Sequence, residues 1–281
     1  MSDRVTTTLS GGIADVRLNR ADKMNALDQA MFSGLIETGR QIANDTAVRA
    51  VVISGEGRAF CAGLDMASFG AMAEGGKRKQ KSQDGGESRR KAESDLLDAR
   101  PDSPANFAQL AGWVWREVPV PVIAAIHGVA YGGGLQLALG ADIRLITADA
   151  RMSVMEIKWG LIPDMSGTQT LRHLVRDDVA RELTYTGRVV SGEEAVQLGL
   201  ATRVVEDPRA SALELAQEIA NKSPDAIRAG KRLLNETRLA SLEDGLKLEA
   251  SLQAGLIGGP NQVEAVMSNM QKRVPKYTDP S

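Results

Sequence analysis

Few residues in this chain could do chemistry. It has two histidines, His127 and His173, and one cysteine, Cys61. That is too sparse a supply for a His/Cys-rich zinc site or a histidine-based triad. Carboxylates and backbone amides are left. The amides best placed by sequence lie in Ile126-His127-Gly128-Val129-Ala130-Tyr131-Gly132-Gly133-Gly134-Leu135-Gln136. A glycine turn between a strand and a helix lets a ligand approach the backbone closely. It also leaves the first helical N–H groups free to bind negative charge. Twenty residues past Gln136 comes Glu156, a lone acid in Ser153-Val154-Met155-Glu156-Ile157. Burial among such neighbours would raise its pKa towards general-base work. Cys61 has no activating partner evident in the sequence and reads as a small buried residue. His127 reads as a structural residue ending a strand.

The elements that must position these groups follow from pattern. Residues 121–126, Pro121-Val122-Ile123-Ala124-Ala125-Ile126, form a short apolar run bounded by proline, which predicts a buried strand. Leu135, Leu137, Ala138 and Leu139, ending at Gly140, predict a short core helix. Upstream, residues 5–9 and 13–18 alternate around Gly11-Gly12 and predict a hairpin. Asp28 can cap a helix with Met31, Leu35, Ile36 and Ile42 on one face. Residues 50–53 predict a buried strand, and Phe107, Leu110, Trp113 and Val114 an amphipathic helix. Further strands are expected over 142–146 and 152–154. From Asp177 the chain becomes helical, with a capped start at Ser191 and helices near 212–221, 224–237, 242–256 and 261–272. This divides the chain into a core over 1–200 and a helical region over 201–281.

The bulk numbers narrow the class. The chain has 281 residues, 43% hydrophobic and 25% charged, with a net charge of −2. These values fit a globular fold, and the slight acidity gives no general reason to expect a nucleic-acid or anionic-membrane partner. A single cysteine excludes an internal disulfide framework and suits a reducing cytoplasm. No signal pattern opens the sequence, and no apolar run is long enough to span a bilayer. Residues 71–100 break the pattern: between Lys77 and Lys91 seven basic residues stand against two acidic ones. Their composition predicts a flexible, solvated insertion. The glycine runs do not form a dinucleotide fingerprint, so no NAD or FAD is expected.

The constellation resembles the crotonase superfamily, the enoyl-CoA hydratases and isomerases. Asn19-Arg20-Ala21-Asp22-Lys23-Met24-Asn25-Ala26-Leu27 is similar to the family's N-terminal CoA loop. Gly57-Arg58-Ala59-Phe60-Cys61-Ala62-Gly63-Leu64-Asp65-Met66 is similar to the loop carrying its first oxyanion-hole amide. Gly167-Thr168-Gln169 follows the second acid, as the family has it. The resemblance implies an α/β fold, a crotonase-like spiral of ββα turns, with a C-terminal helical region that packs on neighbouring subunits in a homotrimer or a dimer of trimers. It implies an acyl-CoA thioester substrate, with no metal and no cofactor beyond the CoA that belongs to the substrate. It gives the oxyanion-hole amides to Leu64 and Gly133, and the CoA contacts to Lys23, Met24, Ala26, Ala62 and Asp65. It makes Glu156 the group that moves a proton at Cα or Cγ of the acyl chain.

The catalytic set implied by the resemblance is Glu156, Asp164 and Gln136, and two of these depart from the hydratase pattern. A hydratase of this family has a glutamate where this chain has Gln136. A glutamine can position a water or bond to a substrate, but it is no general base at neutral pH. Where typical hydratases carry glycine this chain has Asp164, and the dienoyl-CoA isomerase branch has an aspartate there. That branch also places an aspartate at the position of Gln136, so this likeness is partial. The two departures together predict isomerisation over hydration, with a true enoyl-CoA hydratase or a non-catalytic CoA-thioester-binding member of the family as the alternatives. Met155 and Trp159 are expected to wall either the acyl pocket or the core.

Overall fold

The run Val122–Ile126 forms strand β4, buried on both faces. The computed structural model describes residues 3–66 and 103–280, and the insertion expected near 71–100 lies outside them. Strands β1 (Val5–Ser10) and β2 (Ile13–Leu18) pair antiparallel as the predicted hairpin. Strand β3 (Ala50–Gly55) then adds in parallel to β2, and β4 in parallel to β3. Strands β6 (Ile143–Ile146) and β9 (Arg203–Val204) complete a six-stranded sheet in the order β1-β2-β3-β4-β6-β9. A second, three-stranded sheet has the order β5-β7-β8, formed by Val129–Tyr131, Arg151–Ser153 and Val190–Ser191.

The chain reaches the second sheet repeatedly by the same route. After β3 it makes a parallel bridge, Cys61 to Ala130. After β4 it crosses His127-Gly128 into β5 and enters helix α3 (Gly133–Gly140). After β6 it enters β7 and, past a short 3-10 turn (Glu156–Trp159), helix α4 (Gly167–Leu174). Each turn lays one strand in the large sheet and one short segment beside the small one. This is the expected ββα spiral, carried by backbone geometry with no repeated residues.

Two further helices support the first turns. Helix α1 (Gln29–Asn44) starts where Asp28 accepts a hydrogen bond from the Met31 amide at 2.8 Å. Helix α2 (Phe107–Glu117) opens with a capping box between Asn106 and Gln109. The two pack closely: a Cβ added at Gly39 would stand 2.6 Å from a Val114 methyl.

Alternation along the strands sorts the core. Val51, Ile53, Val122, Ala124 and Ile126 point into the main cluster with α1, α2 and α3. Ala50, Val52, Ile123, Ala125 and Leu145 point the other way, onto Ala212, Ala216 and Ala220 of helix α7 (Pro208–Ala220). This two-sided burial is why β3 and β4 read as unbroken apolar runs. Strand β9 and helix α7 lie past residue 200 yet belong to the packing of the sheet.

Helices α5 (Asp177–Thr186) and α6 (Gly192–Leu198) come between, the latter capped by Ser191 as predicted. The chain then runs through α8 (Pro224–Glu236), α9 (Leu242–Leu256) and α10 (Pro260–Met270). Helix α8 is pinned to the core by Lys231, whose buried Nζ meets Asp142 at 2.8 Å and donates to the Trp115 and Val120 carbonyls. Helix α9 buries no residue in the monomer. None of the helices among the described residues is long and apolar enough to cross a membrane.

Candidate active site

At the carboxyl ends of β3, β4 and β6 the turns of the spiral bring three loops together, the usual place for a site in a parallel sheet. The loop after β3 is in turn joined to the loop after β2 by a parallel bridge between Leu64 and Leu27. That bridge uses the Leu27 N–H on the Gly63 carbonyl (2.8 Å) and the Asp65 N–H on the Leu27 carbonyl (3.0 Å). The Leu64 N–H stays out of the ladder. Gly63 has φ +88°, and a Cβ there would fall 2.6 Å from the Tyr131 carbonyl oxygen and 3.6 Å from the Gly133 nitrogen. The loop carrying Leu64 therefore lies directly against the start of α3.

Three glycines start that helix for different reasons. Gly132 adopts φ +52°, ψ −118°, a conformation reserved for glycine. A Cβ on Gly133 would press on Met165 Sδ at 2.6 Å and Leu27 Cδ1 at 2.8 Å. One on Gly134 would strike the Cys61 carbonyl at 2.3 Å. Gly133 is the first residue of α3, so its N–H has no intrahelical acceptor. Leu64 and Gly133 are thus two neighbouring backbone donors outside the ladder and helix bonding.

Facing this turn is the carboxyl of Glu156. It is buried at 8% exposure, and a Cβ on Gly132 would stand 3.4 Å from its Oε1. Gln136, 2% exposed, donates from Nε2 to Oε1 of Glu156 at 2.5 Å. Its own Oε1 accepts from the backbone amides of Met165 at 2.8 Å and Gly167 at 2.9 Å. Glu156 Oε2 is buried and has no hydrogen-bond partner among the described residues. Burial pushes the Glu156 carboxyl up from the ordinary glutamate range, the Gln136 hydrogen bond works against that, and the charge of Asp164 adds to it. Asp164 lies at the surface of the monomer with protein packed around it, and this partial desolvation pushes its carboxyl up as well.

The residues expected to contact CoA lie along one rim. Lys23 ends an exposed 3-10 turn, Ala21–Lys23. Met24 follows with φ +50° and accepts the Ala62 amide at 2.9 Å. Ala26 is buried, and Ala62 and Asp65 are half-buried. The Asp65 carboxylate is engaged with Arg20 Nη1 at 2.5 Å, where it ties the two loops together. Sequence reasoning did not single out two organisers of this rim. Asn25 is fully buried with φ +56°; it accepts the Arg20 amide and donates to the Glu56 and Ala59 carbonyls. Arg20 also donates to the Ala26 carbonyl and faces Asp28 at 3.5 Å. Left-handed backbone at two adjacent non-glycine residues was the signal, and it is visible only in the fold.

The remaining candidates sort by burial. Cys61 is buried, with its thiol pushed up to about 12 by desolvation, so it stays protonated and unreactive. His127 follows β4 and bonds the Gly57 carbonyl through Nε2 at 2.9 Å. Trp159 is 40% exposed, which takes it out of the monomer's core, and Lys158 Nζ sits 5.5 Å from its ring centroid. A cavity of about 670 Å³ opens elsewhere, beside Trp113, Arg116 and Arg172. Neither Glu156 nor Gly133 lines it, so it is not the site described here. Among the described residues there is no cluster of three His, Cys, Asp or Glu suited to hold a metal.

Comparison with known proteins identifies the family. The family model described as enoyl-CoA hydratase/isomerase matches residues 8–96 and 102–280. The chain is 31% identical to the Delta(3,5)-Delta(2,4)-dienoyl-CoA isomerase of Mus musculus, over 95% of this chain and 79% of that protein. It is 33% identical to the mouse methylglutaconyl-CoA hydratase, with the same coverage. A crystal structure of an enoyl-CoA hydratase from Bacillus anthracis superposes with a TM-score of 0.82 at 30% identity, covering 98% of each chain. A hydratase and an isomerase are thus about equally similar in sequence, and identity alone does not separate the two reactions. The crotonase-like fold, the converging loops and these matches agree: the chain belongs to the enoyl-CoA hydratase/isomerase family and is an enzyme of that type.

Proposed function

We propose that the enzyme isomerises the double bond of an enoyl-CoA thioester, with Glu156 as the base and the Leu64 and Gly133 amides as the oxyanion hole. Negative charge moving onto the thioester oxygen is stabilised by two convergent N–H groups, each worth roughly 3–4 kcal/mol by typical losses on removal. Glu156 takes a proton from Cα or Cγ, and the enolate is reprotonated at the other carbon. Asp164, close enough for its charge to act on Glu156, is the second acid. The observation that carries the reading is the contrast between the two oxygens of Glu156. One is held by an amide that cannot take a proton, and the other is buried with no hydrogen-bond partner among the described residues. Addition of water by two carboxylates would need an acid or base where Gln136 stands.

Lys23, Met24, Ala26, Ala62 and Asp65 form the CoA rim in this reading. A homotrimer or dimer of trimers is part of it, supported by exposed apolar residues on α9 and α10: Leu242, Leu246, Val263, Val266 and Met270. So is a cytoplasmic setting, which the single buried thiol suits. Product analysis for 2-enoyl-, 3-enoyl- and dienoyl-CoA substrates in deuterated water tests the reaction. Double-bond migration with little water adduct is expected. Rapid hydration of a 2-enoyl-CoA without migration in any substrate would overturn it.

A further inference from the structure

Gln136 is more than the absence of a glutamate. Its carbonyl takes two backbone N–H groups, from Met165 and Gly167. Both lone pairs of that oxygen are thereby used, and the amide cannot flip without stranding two buried donors. The NH₂ end therefore always faces Glu156 Oε1. An oxygen that faces an N–H donor in this fixed way cannot itself carry an acid proton towards it. From this geometry we infer that Gln136 is a positioning residue that assigns the transferred proton to one oxygen, Oε2 of Glu156.

Its catalytic meaning rests on the isomerase reading above. The substrate C–H bond breaks, an O–H bond forms on Oε2, and the electron pair moves onto the thioester oxygen between Leu64 and Gly133. The return step breaks the same O–H bond and forms a C–H bond at the other carbon, so both transfers use one oxygen and one face of the acyl chain. Gln136 does this through Glu156, without touching the substrate. It also ties Glu156 to the 165–167 turn next to Asp164, a charged group whose field acts on Glu156.

The test needs no turnover. Full-length protein carrying ¹³C-carboxyl glutamate is titrated by NMR, with the Glu156 resonance assigned by its loss in Glu156→Gln. In Gln136→Leu the hydrogen bond to Oε1 is gone, and the Glu156 midpoint should rise by about 1–2 pH units. In Gln136→Glu one oxygen keeps the two backbone amides, and the other faces Glu156 as a second carboxylate. There the pair should retain one proton through neutral pH and titrate in two separated steps. Circular dichroism establishes that each variant is folded; if Gln136→Leu is not, Gln136→Glu carries the test alone. A Glu156 midpoint unchanged in the folded variants would overturn the inference. Failure of the parent to isomerise any enoyl-CoA would instead remove the isomerase reading and leave the titration result standing.

Discussion

The two halves of the site are built from different materials. The half around Leu64 and Gly133 is backbone, held by sterics: the Gly63 and Gly134 contacts leave no room for a side chain. The half around Glu156 is side chain, held by three hydrogen bonds on one glutamine. A backbone donor survives most substitutions, so it can serve every reaction that develops charge on a thioester oxygen. The carboxylate half depends on the identity of single residues. In the proposed reading, activation of the substrate is fixed by the fold, while the reaction that follows is decided by Gln136, Glu156 and Asp164.

The largest effect should come from the side-chain half. Glu156→Gln should lower turnover by about 10²–10⁴-fold with acyl-CoA affinity nearly intact, read as a fall in kcat at constant KM. The same variant should be more stable at neutral pH. The folded-state pKa of Glu156 is raised, so the unfolded chain loses this proton first, and stability falls as pH rises from the ordinary glutamate value through the raised one. Removing the group removes that loss, which is read as a higher Tm at pH 7 in a thermal melt. In the parent, kcat/KM should fall on the acid side at a pH above that of an exposed glutamate, because the base must be ionised.

On the backbone half, Gly133→Pro deletes one oxyanion donor and should lower kcat by about 10²–10³-fold in protein shown to be folded. Gly134→Ala should act on stability first. Its Cβ would lie 2.3 Å from the Cys61 carbonyl, so a shift of α3 costing about 1–3 kcal/mol is expected in chemical denaturation. The smallest effect belongs to the rim: Lys23→Ala should raise KM about threefold with kcat unchanged, as befits an exposed charge.

Much of this was legible in the sequence wherever the cause is local. Asp28 and Ser191 cap their helices because their side chains reach amides three residues on. Residues 122–126 read as a buried strand because both faces are covered. The glycine turn and Glu156 stood out by residue type. Other features depend on contacts far apart in sequence. The sequence allows Gln136 to position a water or bond to a substrate, because nothing near it reveals that Met165 and Gly167 occupy its carbonyl. Asn25 organises the rim proposed for CoA through Glu56 and Ala59, more than thirty residues away. Helix α7 was grouped with the C-terminal helices, whereas its alanines seal the second face of the sheet.

The claim that the carboxylate half decides the reaction is tested most directly at position 136. Hydration of a 2-enoyl-CoA and isomerisation of a 3-enoyl-CoA are measured across pH in the parent and in Gln136→Glu. A second carboxylate gives water addition both an acid and a base, a gain of about 10²-fold or more. It also lets Glu156 Oε1 share a proton, which weakens the base that isomerisation needs. The account predicts hydration up and isomerisation down, with the isomerisation profile moved in pH. A parent that already hydrates the 2-enoyl-CoA rapidly, with neither rate changed in Gln136→Glu, would contradict it.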